Sequence, residues 1–430
     1  MASIQRPRGT RDFGPEEMGK RRYIEGILRK TAETFGYQEI TTPTFEHSEL
    51  YTERSGEAIK NEMYMFKDKG GRELSLRPEL TLPTMRFYAN DMRNVPKPIK
   101  VYYFGNCFRY ERPQSGRFRE FWQYGAEIIG GGVYESDADI IALAAVSLEN
   151  AGLKGFVTRI GHLGVLRAML WEIGVDGEKQ SKCMQLIDKG EHDELFTLLS
   201  EQSPGNLGID RIRSLLDLEK SPSVLEKAKK ILRGNRKALK AIEDLEKILI
   251  DLEALGVKNY TIDLGIARGL DYYTGMVFEI DYPKLGAEKQ VCGGGAYTLA
   301  ELFGSEPTTS TGFAIGFDRV MMALERQETD IPIQGVTAYV IPLGSEAKNQ
   351  AFKIAATLRK SGISASIALL DRNISKHMKY ANAIGAKQVI IIGEDELATK
   401  QATIKDMKSG EQKKVAFEKI AEHIKTASGA

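Results

Sequence analysis

Two long alternating segments joined by a short polar turn constrain this chain more than any other feature. Residues 101–111 and 118–129 each read as a strand, and Arg112-Pro113-Gln114-Ser115-Gly116-Arg117 between them reads as a hairpin loop. An antiparallel sheet is therefore expected at the centre of the fold. Side chains alternate across a strand, so Arg119, Phe121, Gln123, Gly125 and Glu127 share one face, and Trp122, Tyr124, Ala126 and Ile128 the other. The second set belongs in a core. The first is polar, and Gly125 removes bulk between Gln123 and Glu127, which would let a ligand lie on the sheet. In the preceding strand Gly105, Cys107, Arg109 and Glu111 share a face in the same way.

Residues 310–316 repeat the device. Gly312, Ala314 and Gly316 fall on one side, Phe313 and Ile315 on the other. Arg319 follows one turn into a helix, where a guanidinium can stack on a planar base. Two turns add polar groups. Arg268-Gly269-Leu270-Asp271-Tyr272-Tyr273-Thr274-Gly275 sets an arginine and two tyrosines between glycines, and Leu76-Arg77-Pro78-Glu79-Leu80-Thr81 precedes a helix. Together these stretches offer arginines, carboxylates and two glycine-lined sheet faces. Adenylate formation needs that inventory: a carboxylate attacks the α-phosphate of ATP, pyrophosphate leaves, and preorganised cations stabilise the charge on the phosphoryl oxygens. Arginine suits the task because its fork pairs phosphate bidentately and stays charged.

The surroundings are read from periodicity. A helix is expected over 20–35, where Tyr23, Ile24, Ile27, Leu28, Thr31 and Phe35 recur near 3.6-residue spacing. Gly36 caps it, and a strand over 37–42 stops at Pro43. A helix follows near 136–150. Residues 165–255 lose strand character and read as a helical insertion. Strands return at 260–268, 276–281 and 310–316, then a helix at 317–326. After a linker at 331–335 come strands at 338–343, 364–369 and 388–392, alternating with helices at 347–361 and 374–384. That pattern predicts a compact α/β module with largely parallel strands. The expected division is 1–330 and 336–430.

Composition excludes several classes. With 42% hydrophobic and 28% charged residues the chain is an ordinary globular one. Its three cysteines form no CxxC pair, which argues against zinc ribbons and thioredoxin-type sites and suits a reducing compartment. The first residues lack a signal-peptide core, and no apolar run approaches the ~20 residues that span a bilayer. A soluble, cytoplasmic protein without membrane contact is expected. Net charge is +1, but residues 337–430 hold 15 Lys plus Arg against 9 Asp plus Glu, a net +6 that leaves −5 on the rest. A basic module is compatible with a phosphate backbone, as it is with a plain solvated surface. There is no GxxxxGK[ST] loop, and Gly293-Gly294-Gly295 does not complete GxGxxG. Ile160-Gly161-His162 reads as a strand end, and the five dispersed histidines give no HExxH; no metal site on the protein is expected.

In this order and spacing the residues resemble class II aminoacyl-tRNA synthetases. The region 36–43 looks like motif 1. Phe108-Arg109-Tyr110-Glu111 with its loop and residues 121–127 looks like motif 2. Gly312-Phe313-Ala314-Ile315-Gly316-Phe317-Asp318-Arg319 looks like motif 3. Within that class, Arg268-Gly269-Leu270-Asp271-Tyr272-Tyr273 resembles a signature of the histidyl-tRNA synthetases, and Gly293-Gly294-Gly295-Ala296-Tyr297 is similar to part of their second signature. Arg8-Gly9-Thr10-Arg11-Asp12 and Arg77-Pro78-Glu79 are similar too, so the resemblance covers nearly the whole chain. One departure stands out: Ala296 occupies the position of a basic residue and Thr298 that of an acid.

The resemblance implies an α+β fold: an antiparallel sheet flanked by helices, with a helical insertion, followed by a mixed α/β anticodon-binding domain. It implies that histidine is activated with ATP and then transferred to the 3′ end of tRNA(His). By the same resemblance Glu79 and Thr81 hold the α-amino group of L-histidine and Gln123 contacts the amino acid. Glu127 and Tyr273 bracket the imidazole, and Tyr272 lines the pocket. Arg109 binds the α-phosphate, Arg117 reaches the γ-phosphate, Glu111 belongs to the ATP site, Arg268 is the catalytic cation, and Arg319 stacks on adenine. Mg2+ bridging the ATP phosphates and a homodimer are expected as well. The competing reading is a histidine-binding regulatory subunit of ATP phosphoribosyltransferase that charges no tRNA; such chains usually lack the C-terminal module.

Overall fold

The hairpin forms, and a sheet extends from both of its strands. In the computed structural model, which describes residues 4–52, 60–111, 116–202, 207–221, 223–267, 272–333 and 335–428, β5 (Ile99–Phe108) pairs antiparallel with β6 (Glu120–Ile129), setting Gly105 opposite Gln123, Tyr103 opposite Gly125 and Val101 opposite Glu127. Strands are numbered in chain order. On one side lies the two-residue β1 (Gln38–Glu39), parallel to β5. On the other follow β11 (Ser310–Gly316), β10 (Gln290–Tyr297), β9 (Tyr273–Asp281) and β7 (Val157–His162), each antiparallel to the last, and then β8 (Tyr260–Ile262), parallel to β7. The expected strand at 37–42 is shorter because pairing ends early. Ile40 N–H still donates to Tyr102 O at 2.9 Å, beyond the paired residues Gln38 and Glu39.

Helices cover one face of this sheet. Val133–Asn150 packs across β6, β9, β10 and β11, and nearly every apolar side chain along it is buried, Ile140, Ile141, Leu143 and Leu148 among them. Pro15–Thr34 packs on that helix through Ile24, Leu28 and Ala32. Gly36, at φ +81°, turns the chain out of the helix into β1, a conformation that glycine adopts without a Cβ penalty. Between β7 and β8 the described residues form six helices, from Leu163–Glu172 to Arg236–Ala254, whose apolar faces join the same core as the sheet. A small separate sheet, β2 (Phe45–His47), β4 (Glu73–Leu76) and β3 (Met65–Lys67), leads into the helix Thr81–Phe87.

Contacts divide the chain into Met1–Ile331 and Pro332–Ala430. The second unit has a five-stranded sheet in the order β13 (Ala365–Ile367), β12 (Ala338–Pro342), β14 (Gln388–Ile392), β15 (Gln401–Asp406), β16 (Gln412–Ala416). The first three are parallel, as the alternating pattern predicts. The last two run antiparallel as a hairpin, so the sheet is mixed rather than largely parallel. Its two faces pack separate apolar clusters, one around Ile354, Leu358 and Ile424, the other around Ala381 and Val389. Among the described residues no helix is long and apolar enough to cross a membrane.

Candidate active site

The open face of the large sheet carries a cleft. Its lining includes Glu79, Thr81, Arg109, Glu111, Arg117, Gln123, Tyr272, Tyr273 and Arg319, nine residues singled out in the sequence from well-separated stretches of chain. Gly293, Ala314 and Gly316 form part of the floor. Arg268 lies outside the described residues, as do Arg112 to Ser115 of the hairpin loop.

One end of the cleft is cationic. Arg109 Nε donates to Pro78 O at 3.0 Å, and the guanidinium sits 5.2 Å from the Phe121 ring. These contacts orient the fork, and one of its terminal nitrogens lies 3.9 Å from Glu111. Glu111 also lies 3.6 Å from Arg117. Arg319 donates to Gln290 O at 2.7 Å and to Glu288 Oε2 at 2.7 Å. Burial lowers the Arg319 proton affinity, and the nearby Arg117 and Arg109 charges add to this while Glu288 opposes it. Glu288 also accepts from Arg117 Nε at 3.1 Å, so one carboxylate joins both arginines. Nothing in the sequence marks Glu288, which ends the short 3-10 helix Pro283–Glu288.

Arg319 is positioned through its neighbour. Asp318 is 3% exposed and pairs with Arg21 at 2.8 Å and Arg11 at 2.6 Å, while its other oxygen accepts from Trp122 N–H at 2.9 Å. One side chain thus ties the N-terminal segment, the helix Pro15–Thr34, strand β6 and the start of the helix Phe317–Arg326. Arg11 sits in the Arg8–Asp12 stretch that carries the resemblance, but its partner was not legible there.

The other end is built of tyrosines around a buried acid. Glu127 is fully buried, and its two oxygens accept from Tyr103 at 2.9 Å and Tyr297 at 2.6 Å. Burial pushes its carboxyl up to about 8; the Tyr297, Tyr103 and Thr81 hydroxyls pull it back only in part. Tyr272 and Tyr273 stack at 4.7 Å between ring centres, and both contact the Tyr297 ring. Burial, with Glu127 nearby, raises the Tyr103, Tyr272 and Tyr297 hydroxyls well above their ordinary value, so all stay protonated donors. Glu127 itself is not among the residues that line the cleft, whereas Tyr272 and Tyr273 are. Glu79 is buried beside this cluster, its oxygens accepting the first two N–H groups of the helix Thr81–Phe87 at 2.7 and 3.0 Å. Burial raises its carboxyl, against those two donors and Arg109. Gln123 accepts from Cys107 Sγ at 3.4 Å. Tyr103 and Tyr297 were missed as site residues, although Tyr103 shares parity with Gly105 and Cys107 on the polar face of β5.

The glycines read as a floor for ligand are mostly filled by the protein. A Cβ on Gly125 would stand 2.5 Å from the Tyr103 ring, one on Gly312 would stand 1.5 Å from Glu127 Oε2, and one on Gly105 would stand 2.7 Å from Arg77. Only Gly316, whose Cβ would meet nothing closer than 3.8 Å, leaves open space as expected. Ala296 and Thr298, the two departures from the family pattern, line a different cavity with Asp137. His162 ends β7, and its Nδ1 accepts from Gly164 N–H, which caps the next helix.

A family model described as histidyl-tRNA synthetase matches residues 9–320, and one described as anticodon binding domain matches residues 337–427. A histidine–tRNA ligase of Archaeoglobus fulgidus is 48% identical over 417 residues, 97% of this chain and 98% of its own. One of Methanocaldococcus jannaschii is 48% identical over 420 residues, 97% of this chain and 98% of its own. The crystal structure of histidyl-tRNA synthetase from Nostoc sp. superposes with a TM-score of 0.83 at 25% identity, over 99% of this chain and 100% of that one.

Proposed function

The chain belongs to the histidyl-tRNA synthetase family, and from that premise we propose how its residues divide the work of a histidine–tRNA ligase. The enzyme activates histidine with ATP, releasing pyrophosphate, and transfers the histidyl group to tRNA. The regulatory-subunit reading gives way, because relatives that match end to end are ligases and an anticodon-binding module follows the catalytic one.

In our reading the tyrosine pocket takes the imidazole. A carboxylate has about four acceptor positions, and Tyr103 and Tyr297 occupy two at Glu127. An imidazole N–H held between Glu127 and Tyr273, with Tyr272 lining the pocket, supplies another donor, which an amino acid without one leaves unmet. Sites built on such buried hydrogen bonds discriminate by ~10⁴ or more. Glu79, Thr81 and Gln123 hold the ammonium end, leaving the histidine carboxylate toward Arg109. That carboxylate attacks the α-phosphorus, a P–O bond forms, and the bond to pyrophosphate breaks. Arg109 and Arg268 receive the charge that builds on the α-phosphoryl oxygens. Arg117 exchanges Glu288 for the γ-phosphate, and Arg319 lies along the adenine ring.

Magnesium fits this cleft as a companion of the nucleotide. Glu111, between Arg109 and Arg117, is a hard oxygen donor where the phosphates would lie. Among the described residues no group of three acidic, histidine or cysteine side chains could hold a metal, so the nucleotide would supply most of its ligands. When bound, the ion neutralises phosphate charge. Residues 337–427 we assign to the anticodon arm of tRNA(His), and the exposed Phe45, Met65 and Phe66 support a homodimer. The cytoplasm is the compartment we propose, where tRNA is charged and the free Cys107, Cys183 and Cys292 stay reduced.

What carries the reading is the convergence, in one cleft, of Arg109, Arg117 and Arg319 with the tyrosine pocket over Glu127. The test is exchange of labelled pyrophosphate into ATP without tRNA, histidine against each other amino acid. Exchange with histidine alone is expected. Exchange driven by another amino acid would show that Glu127 and Tyr273 do not read imidazole.

A further inference from the structure

The helix-covered side of the sheet holds a second cavity, of about 120 Å³. By strand alternation it lies opposite the cleft: Glu127 and Gly312 point one way, while Ile128, Thr311 and Ala296, paired across three strands, point the other. Asp137, from the helix Val133–Asn150, lines it and is 2% exposed. Among the described residues Asp137 Oδ2 and Thr311 Oγ1 beside it make no hydrogen bond of ordinary distance and angle, though the Thr311 hydroxyl lies near enough to favour the ionised carboxylate. Ser136, Thr298 and Gly275 contribute to a wall that is otherwise mostly apolar.

A buried carboxylate oxygen without a partner is destabilising by roughly 1–3 kcal/mol or more, so its persistence beside an open cavity calls for an occupant. Burial pushes the Asp137 carboxyl up to about 7, with Thr311 opposing, so a cation arriving there finds a group ready to ionise. A metal ion would need several oxygen ligands, and Asp137 is the only carboxylate among the residues lining the cavity. An ammonium is strongly hydrated and loses much on entering apolar walls. A guanidinium is planar and weakly hydrated, and its forked N–H donors match the free carboxylate and hydroxyl oxygens.

We propose that this cavity is a binding site for a guanidinium group, held by Asp137 and Thr311 behind the catalytic sheet. The site shares Tyr297 with the tyrosine pocket around Glu127 but lies on the other face of the sheet, and it does not depend on the assignment of the histidine and ATP positions.

The test is calorimetric titration of the full chain with methylguanidinium and, separately, with N-acetyl-arginine amide, in buffer matched with NaCl. Saturable binding of methylguanidinium at one per chain is expected. Asp137→Asn and Ala296→Arg, the latter filling the cavity from its own wall, should each weaken it at least tenfold while histidine-dependent pyrophosphate exchange persists. Binding of methylguanidinium alone identifies a free small molecule as the source; binding of both compounds admits an arginine side chain of another protein. If Asp137→Asn does not fold, Ala296→Arg decides by the same readout. Absence of saturable binding, or binding that both variants leave unchanged, overturns the proposal.

Discussion

Replacing Glu127 with glutamine keeps the shape of the side chain and removes its charge, so Glu127→Gln isolates what burial does to this acid. Its carboxyl is carried from the ordinary 4.5 to about 8. That difference corresponds to about 5 kcal/mol between the two protonation states. The sign follows from proton uptake. The folded chain holds the proton to higher pH than the unfolded chain, so between about 4.5 and about 8 unfolding releases it. This contribution to stability is fully present below the unfolded value and is lost as pH rises through the folded one. The variant has no such group to titrate. Relative to the parent, Glu127→Gln should therefore gain stability as pH rises, by up to about 5 kcal/mol from about pH 4.5 to about pH 9. Urea unfolding followed by tryptophan fluorescence reads this in the right place, because both tryptophans, Trp122 and Trp171, lie within Met1–Ile331. Two stability curves that run parallel across this range would refute the argument. In pyrophosphate exchange above about pH 8, where Glu127 is ionised, the histidine KM should rise ten- to a hundredfold, the worth of one charge-assisted hydrogen bond of about 1.5–3 kcal/mol.

Other expectations follow from single contacts. Gly312→Ala puts a methyl 1.5 Å from Glu127 Oε2 and 2.8 Å from Ala126 O; it should lower stability by about 1–3 kcal/mol and raise the KM for histidine but not for ATP, which exchange kinetics separate. Asp318→Asn removes the charge that pairs with Arg21 and Arg11; a loss of about 3–5 kcal/mol is expected, with a raised KM for ATP through Arg319, and an unchanged melting temperature would contradict it. Arg268→Ala should cut adenylation strongly with histidine binding still measurable, and near-normal turnover would remove Arg268 from its catalytic role. Deleting residues 337–430 should weaken tRNA charging far more than histidine activation, and equal loss of both would argue against that division of labour.

Local periodicity carried much of the architecture. The strand at 310–316, the helix at 317–326 and the strand at 388–392 lie where alternation and 3.6-residue spacing put them. The small sheet of β2, β4 and β3 was not legible, since strands of three or four residues have no room to show a period. Nor was β10, where Gly293-Gly294-Gly295 erases the alternation that marks a strand. The hairpin of β15 and β16 was hidden by its lysines, which suit an exposed edge but do not announce one. The cleft residues were legible because they fall on sheet faces of known parity or in turns with a family signature. Asp318, Glu288 and Tyr297 were not assigned roles, because each acts through a partner 170 or more residues away in sequence.

The glycines expose a deeper limit of that reading. Alternation says which face a residue occupies and that a glycine leaves space there; it cannot say what fills the space. At Gly125 the Tyr103 ring fills it, and at Gly312 the Glu127 carboxylate does. These two glycines are coupled through one hydrogen bond: Tyr103 crosses Gly125 to reach Glu127, and Glu127 crosses Gly312 to meet Tyr103 and Tyr297. The device we propose for reading imidazole is therefore as much a matter of missing side chains on β6 and β11 as of the acid itself. A chain that kept Glu127 but gained a methyl at either glycine would have to move the carboxylate or the ring. Open cleft begins farther along the same strands, where Ala314 lies opposite Gly293 and Gly316 opens beside Arg319. The sheet face is thus graded, its glycines filled by protein side chains at one end and open at the other, where we propose the nucleotide lies.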